Sequence, residues 1–167
     1  GWGNISGDTA ALKKYGLRPE DLQYGTQVYE PDPAVFGPDA KPVVAFRGTR
    51  MSETEDWKNN LQQGVGLHSD YYESAVDIGK KVGRSEADVN FTGHSLGGGM
   101  ASAASRASGQ PATTFNSSGL NDGTVEKYGG TVHIPSTENI QAYRIDGDVL
   151  TGAQEQNVGG TLGAMAG

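Results

Sequence analysis

A chain of 167 residues with 35% hydrophobic and 20% charged residues can bury a core within a single domain. Its formal net charge of -7 argues against nucleic acid as a partner and offers anionic membranes no long-range attraction. With no cysteine it has no disulfide, no thiolate metal site and no cysteine nucleophile, and no apolar run approaches the ~18 residues of a membrane span.

Residues 5–17 carry a weak helical pattern through Ala10, Leu12 and Tyr15, closed by Gly16 and Pro19. Residues 21–29 fit a short strand or a short helix equally. From Glu30 to Pro42 four breakers, Pro31, Pro33, Gly37 and Pro38, predict mostly turn. Pro42-Val43-Val44-Ala45-Phe46 then forms a continuous apolar run of strand length, the pattern of a central strand buried on both faces. A helix is expected over 56–63. A stronger one runs from Ser69 to Val82, where Tyr72, Ala75, Val76, Gly79 and Val82 recur at helical spacing and Gly83 is expected to end it. A strand over 89–92, a helix over 99–107, a strand over 112–115, a polar loop from Asn116 and a strand over 140–145 complete the series. Strands alternating with helices predict an α/β fold with a mostly parallel central sheet and helices on both faces. Functional loops of such sheets lie at the carboxyl ends of the strands. Thr49, Ser95, Asn116 and Asp148 each stand just past one.

The chain is organised around Val89-Asn90-Phe91-Thr92-Gly93-His94-Ser95-Leu96-Gly97-Gly98. A bare Gly-x-Ser-x-Gly is expected about 0.3 times by chance in a chain with 26 glycines and so carries little weight alone. Requiring His94, Leu96 and Gly98 as well lowers that expectation by about four orders of magnitude. A strand before the serine and a helix of small residues after it supply the setting of a nucleophile elbow: a sharp turn that exposes a serine hydroxyl beside unpaired helix N–H groups.

The chain resembles the class 3 lipases of the α/β-hydrolase superfamily, and is similar in particular to bacterial phospholipase A1-like effector domains. The resemblance runs through Val43-Val44-Ala45-Phe46-Arg47-Gly48-Thr49, then Asp56-Trp57 with Asn60-Leu61, then Gly93-His94-Ser95-Leu96-Gly97-Gly98. Thr114-Phe115-Asn116 and Tyr143-Arg144-Ile145-Asp146-Gly147-Asp148-Val149 continue it. It implies one lipase-like catalytic domain over 1–167: a lead-in over 1–40, a core over 41–150 and a mobile glycine-rich end over 151–167. It also implies a nucleophile at Ser95, an oxyanion hole from the Leu96 N–H and from Thr49, and a triad acid at Asp148, with Asp146 as the alternative. The implied activity is serine-dependent hydrolysis of lipid acyl esters, without cofactor or metal.

The base is the departure. The family order is serine, aspartate, histidine, and no histidine follows Asp148. His133 and His68 are the candidates within the chain. The favoured expectation is a histidine on a C-terminal segment or a second chain, with these residues an incomplete fragment lacking C-terminal elements. His94, beside the nucleophile, is expected to be a packed, hydrogen-bonded residue. Arg47 either contacts an anionic headgroup or pairs with a carboxylate to order its loop. Glu53, Glu55 and Asp56 have no metal-ligand spacing and read as a solvated loop, and the aromatics Trp57, Tyr71 and Tyr72 read as core. Two alternatives stay open beside the lipase reading: an inactive lipase-fold binding module, and an esterase for soluble or polymer esters. The acidic pI of about 4.8 and the missing cysteines suit a toxin domain that is secreted, or delivered to a target cell or periplasm, and restrained by an inhibitory or immunity protein.

Overall fold

The computed structural model describes residues 1–47, 69–117, 126–127, 129 and 139–144. Its strands are β1 (Trp2–Asn4), β2 (Gln27–Pro31), β3 (Val43–Phe46), β4 (Asn90–His94), β5 (Ala112–Phe115) and β6 (Ile140–Tyr143). They form one sheet in sequential order, antiparallel from β1 to β3 and parallel from β3 to β6. The predicted α/β class with a mostly parallel sheet is what the chain adopts.

Register explains which face is buried. Val44 pairs with Phe91 and Phe91 with Ala112, and all three are buried. Side chains alternate along a strand, so the neighbouring row of Ala45, Thr92 and Thr113 lies on the opposite face and is only half-buried. The buried row faces α3 (Ser69–Ser85) and α4 (Leu96–Ser108), which also pack against each other. Burying such apolar side chains contributes about 1.5–3 kcal/mol each for those of valine to phenylalanine size.

In α3 the predicted stripe is the buried one: Tyr72, Ala75, Val76 and Val82 all join the core. The helix does not stop at Gly83 as expected but runs to Ser85. The cause is close approach to α4. A Cβ at Gly79 would stand 2.6 Å from the Ala104 carbonyl oxygen, and one at Gly83 would stand 3.2 Å from the Ser108 Cα. These glycines let the two helices touch, so the weak helix propensity of glycine is outweighed by packing. The helix α4 is buried along its whole length, and its small side chains suit that position. Its hydroxyls are satisfied within the protein: Ser102 Oγ donates to the Gly98 carbonyl at 3.0 Å and Ser105 Oγ to the Gln110 carbonyl at 2.6 Å.

The lead-in is more ordered than its composition suggests. Residues 5–17 give a short α1 (Thr9–Leu12), capped by Asp8, and a 3-10 turn over Lys13–Tyr15. The ambiguous stretch 21–29 turns out to enter β2, which continues into Pro31 where turn was expected. Proline is tolerated there because Pro31 pairs only with Trp2, while the pairing of β2 with β3 covers Gln27–Tyr29. A four-residue α2 (Pro33–Phe36) follows. A second 3-10 turn, Pro19–Asp21, is tied to α3 by Lys81 Nζ, which donates to Asp21 at 2.6 Å and also meets Asp77 at 3.1 Å.

Candidate functional site

Strand β4 ends at His94 and α4 begins at Leu96, so Ser95 is the single residue between them. It takes φ 55 and ψ -119, a conformation sparsely populated by residues with a Cβ. Two bonds hold the turn: the Ser95 N–H donates to the Phe115 carbonyl at 3.0 Å, and the Gly99 N–H to the Ser95 carbonyl at 3.2 Å. Serine at a helix N-cap ordinarily accepts a bond from the first turn, but the Ser95 side chain makes no such bond. Its hydroxyl is left for other work. Leu96 opens the helix, and among the described residues nothing accepts from its N–H. That is the donor geometry an oxyanion hole uses.

The flanking glycines close this turn against the sheet. A Cβ at Gly93 would overlap the Gly97 carbonyl, and a Cβ at Gly97 would overlap the Phe46 carbonyl and stand 3.1 Å from the Arg47 carbonyl carbon. The first turn of α4 therefore rests directly on the carboxyl end of β3. One strand further along, Asn116 follows β5 with a buried side chain and φ 43, and its N–H donates to the Tyr143 carbonyl at 2.8 Å. Hydrogen bonds thus run from Ser95 through the Phe115–Asn116 peptide to the end of β6.

Of the residues singled out in the sequence, Ser95, Leu96, His94, Arg47 and Asn116 are described, and they gather at the carboxyl ends of β3, β4 and β5. Thr49, Asp146, Asp148, His133 and His68 lie outside the described residues, as do Glu53, Glu55, Asp56 and Trp57. The expectation for His94 is corrected. Its side chain is exposed rather than packed. Strand alternation is the reason: Gly93 takes the buried side beneath α4, and His94 falls on the other face beside Phe115, its register partner. Tyr72 is core as expected, whereas Tyr71 is half-buried against the Tyr24 ring, 4.1 Å between centroids. Among the described residues, no group of three potential metal ligands comes together, and no helix is long and apolar enough to cross a membrane.

Two features near this end of the sheet escape sequence reasoning. Phe115 and Tyr143 stack at 5.5 Å between centroids and are about half exposed; alternation along β5 and β6 places them with His94. An open cavity of about 340 Å³ is lined by Gly25, Gln27, Tyr29, Ala45, Phe46 and Arg47. The polar and aromatic positions Gln27 and Tyr29 flanking Val28 were its available signal, hidden because 21–29 fits strand and helix alike.

Comparison with known proteins places these features in context. The family model for a Tle-like phospholipase domain matches residues 1–167. An extracellular phospholipase A1 from Serratia liquefaciens is 31% identical over 151 residues, which cover 87% of this chain and 46% of the relative. The chain therefore spans about half the length of that relative.

Proposed function

The chain belongs to the Tle-like phospholipase family, and on that premise we propose that it hydrolyses an acyl ester of a phospholipid through Ser95. The observation that carries this reading is the Ser95 turn: a strained serine with no side-chain cap bond, between a parallel strand and a helix whose first N–H has no acceptor among the described residues. Ser95 Oγ attacks the ester carbonyl carbon, and its proton passes through a base to the departing lysophospholipid alkoxide. The ester C–O bond breaks as the acyl-serine forms, and water then releases the fatty acid. The Leu96 N–H and Thr49 hold the oxyanion; removing one such donor typically costs about 10²–10³ in rate. Asp148 is the acid that orients the base, with Asp146 as the alternative.

The base is a histidine at 133 or 68, or one carried by polypeptide beyond Gly167, and we favour the last because in this serine hydrolase order the base follows the acid. The similarity to an extracellular phospholipase supports action outside the producing cell or within a target cell. A cell that makes such an enzyme needs an inhibitory partner wherever its own membranes are within reach.

The experiment is the release of fatty acid and lysophospholipid from phospholipid vesicles by the intact protein and by Ser95→Ala. Loss of release in the variant supports the reading; full activity without the hydroxyl refutes it. A second reading, a lipase-fold binding module without turnover, rests on the absence of histidine between Asp148 and Gly167. It predicts vesicle binding without hydrolysis in the intact protein. Faster cleavage of short soluble esters than of vesicles would favour an esterase instead.

A further inference from the structure

The cavity on the sheet face opposite α3 and α4 is built differently from the rest of this acidic molecule. Gln27 pairs with Ala45 across β2 and β3, and Tyr29 pairs with Val43. Extending that register past the strand end sets Gly25 opposite Arg47. There Gly25 adopts φ 73, and a Cβ on it would stand 2.9 Å from the Arg47 Cδ and 3.2 Å from its Cβ. The arginine stem lies across bare backbone, which only glycine leaves open. Among the described residues no carboxylate pairs with Arg47, and none lines the cavity. At the other polar position, Asn4 Nδ2 donates to Gln27 Oε1 at 2.9 Å, so the Gln27 amide has its N–H₂ left to donate. Tyr29 adds a hydroxyl. The cavity of about 340 Å³ thus gathers a guanidinium, an amide donor and a phenol in a protein of net charge -7.

Its place relative to Ser95 gives it meaning. The Phe46 carbonyl and the Arg47 carbonyl carbon are the atoms against which Gly97 packs, two residues beyond the serine. The end of β3 at Phe46 and Arg47 is thus shared: the helix turn after the serine rests on its backbone, and the cavity is lined by the same two residues. In a glycerophospholipid the phosphoryl group is separated from the acyl ester by the glycerol backbone alone. We propose that the Arg47–Gln27–Tyr29 cavity is a subsite for a phosphate oxyanion, taking the phosphoryl headgroup of a lipid whose acyl ester lies at Ser95. Arginine matches phosphate oxygens with paired N–H donors. The proposal rests on hydrolysis at Ser95 and adds to it the part of the substrate that distinguishes a phospholipid from a neutral lipid.

The test compares dihexanoylphosphatidylcholine with dihexanoylglycerol, which share acyl chains and differ in the phosphoryl headgroup, as monomers turned over by the intact protein. Arg47→Met keeps the stem over Gly25 and removes the charge. It is expected to raise KM for the phospholipid about tenfold or more, with kcat and the diglyceride rate within about twofold of wild type. Arg47→Lys should recover part of the loss, and Gln27→Leu should give a smaller loss in the same direction. Inorganic phosphate that competes against wild type but not against Arg47→Met shows that any phosphate oxyanion enters. No competition, with the headgroup preference retained, shows a site that reads the esterified phosphate; either result supports the proposal. Equal losses on both substrates, or no loss on either, overturn it. If wild type hydrolyses neither lipid, hydrolysis at Ser95 is what fails. The cavity is then tested by calorimetric titration of dihexanoylphosphatidylcholine into Ser95→Ala with and without Arg47→Met. Weaker binding without the arginine supports the subsite, and equal binding overturns it.

Discussion

Replacing Ser95 by glycine should stabilise the protein relative to alanine at the same position. Both substitutions delete the hydroxyl, so their difference isolates the backbone. At φ 55 and ψ -119 a residue with a Cβ carries about 1–3 kcal/mol of strain that glycine does not. Glycine in turn loses about 0.5–1 kcal/mol to the greater freedom of its unfolded chain. These two terms leave Ser95→Gly ahead of Ser95→Ala by about 0–2.5 kcal/mol, and the preference for glycine over alanine at an N-cap adds in the same direction and makes the difference positive. In a protein of this length each kcal/mol moves Tm by about 2–4 °C. Urea unfolding and thermal melts of the two variants measure it directly. Ser95→Ala equal to or more stable than Ser95→Gly would refute the claim that this turn stores strain at the serine.

Further predictions follow from the same geometry. Gly97→Ala drives a methyl into the Phe46 carbonyl and should either cost more than about 2 kcal/mol in urea unfolding or displace the end of β3; a neutral effect would contradict the close approach. Burial alone would raise the Asp21 carboxyl, but hydrogen bonds from Lys81 and from the Arg18 N–H, with the charges of Lys81 and Arg18, hold it below its ordinary value. The stability this supplies is fully present above the unfolded pKa of about 3.9 and is lost as pH falls through the lower folded value. Wild type should therefore exceed Asp21→Asn near neutral pH and converge with it in acid; a gap that persists in acid would contradict the pairing. Of Asp148→Asn and Asp146→Asn, the first should lower kcat for phospholipid by about 10⁴ and the second far less, with the reverse order reassigning the acid.

Much of the parallel half was legible because its signals are local. The apolar run before Phe46 and the stretch Ala112–Phe115 gave strands within a residue of their observed limits, and the stripe of Tyr72, Ala75, Val76 and Val82 gave α3. What was hidden depends on contacts between distant residues. The start of α4 at Leu96 runs through Gly97 and Gly98, poor helix formers held by their seat against β3 and β4. Strand β1 is three exposed residues held by pairing with β2 and has no apolar alternation to reveal it. His94 was misplaced because a motif fixes the order of residues but not the strand face on which a side chain falls. The elbow itself could be anticipated because strand, glycines and serine are contiguous. The cavity beside it needs Gly25, Gln27 and Arg47, which only strand pairing unites.

The central claim, that Ser95 is an activated nucleophile, is tested most directly by treating the intact protein with a fluorophosphonate and mapping the adduct by mass spectrometry. The account predicts a single modified residue, Ser95, with labelling abolished in Ser95→Ala. An intact, folded protein that hydrolyses phospholipid while Ser95 stays unlabelled, or that carries the label elsewhere, would contradict it.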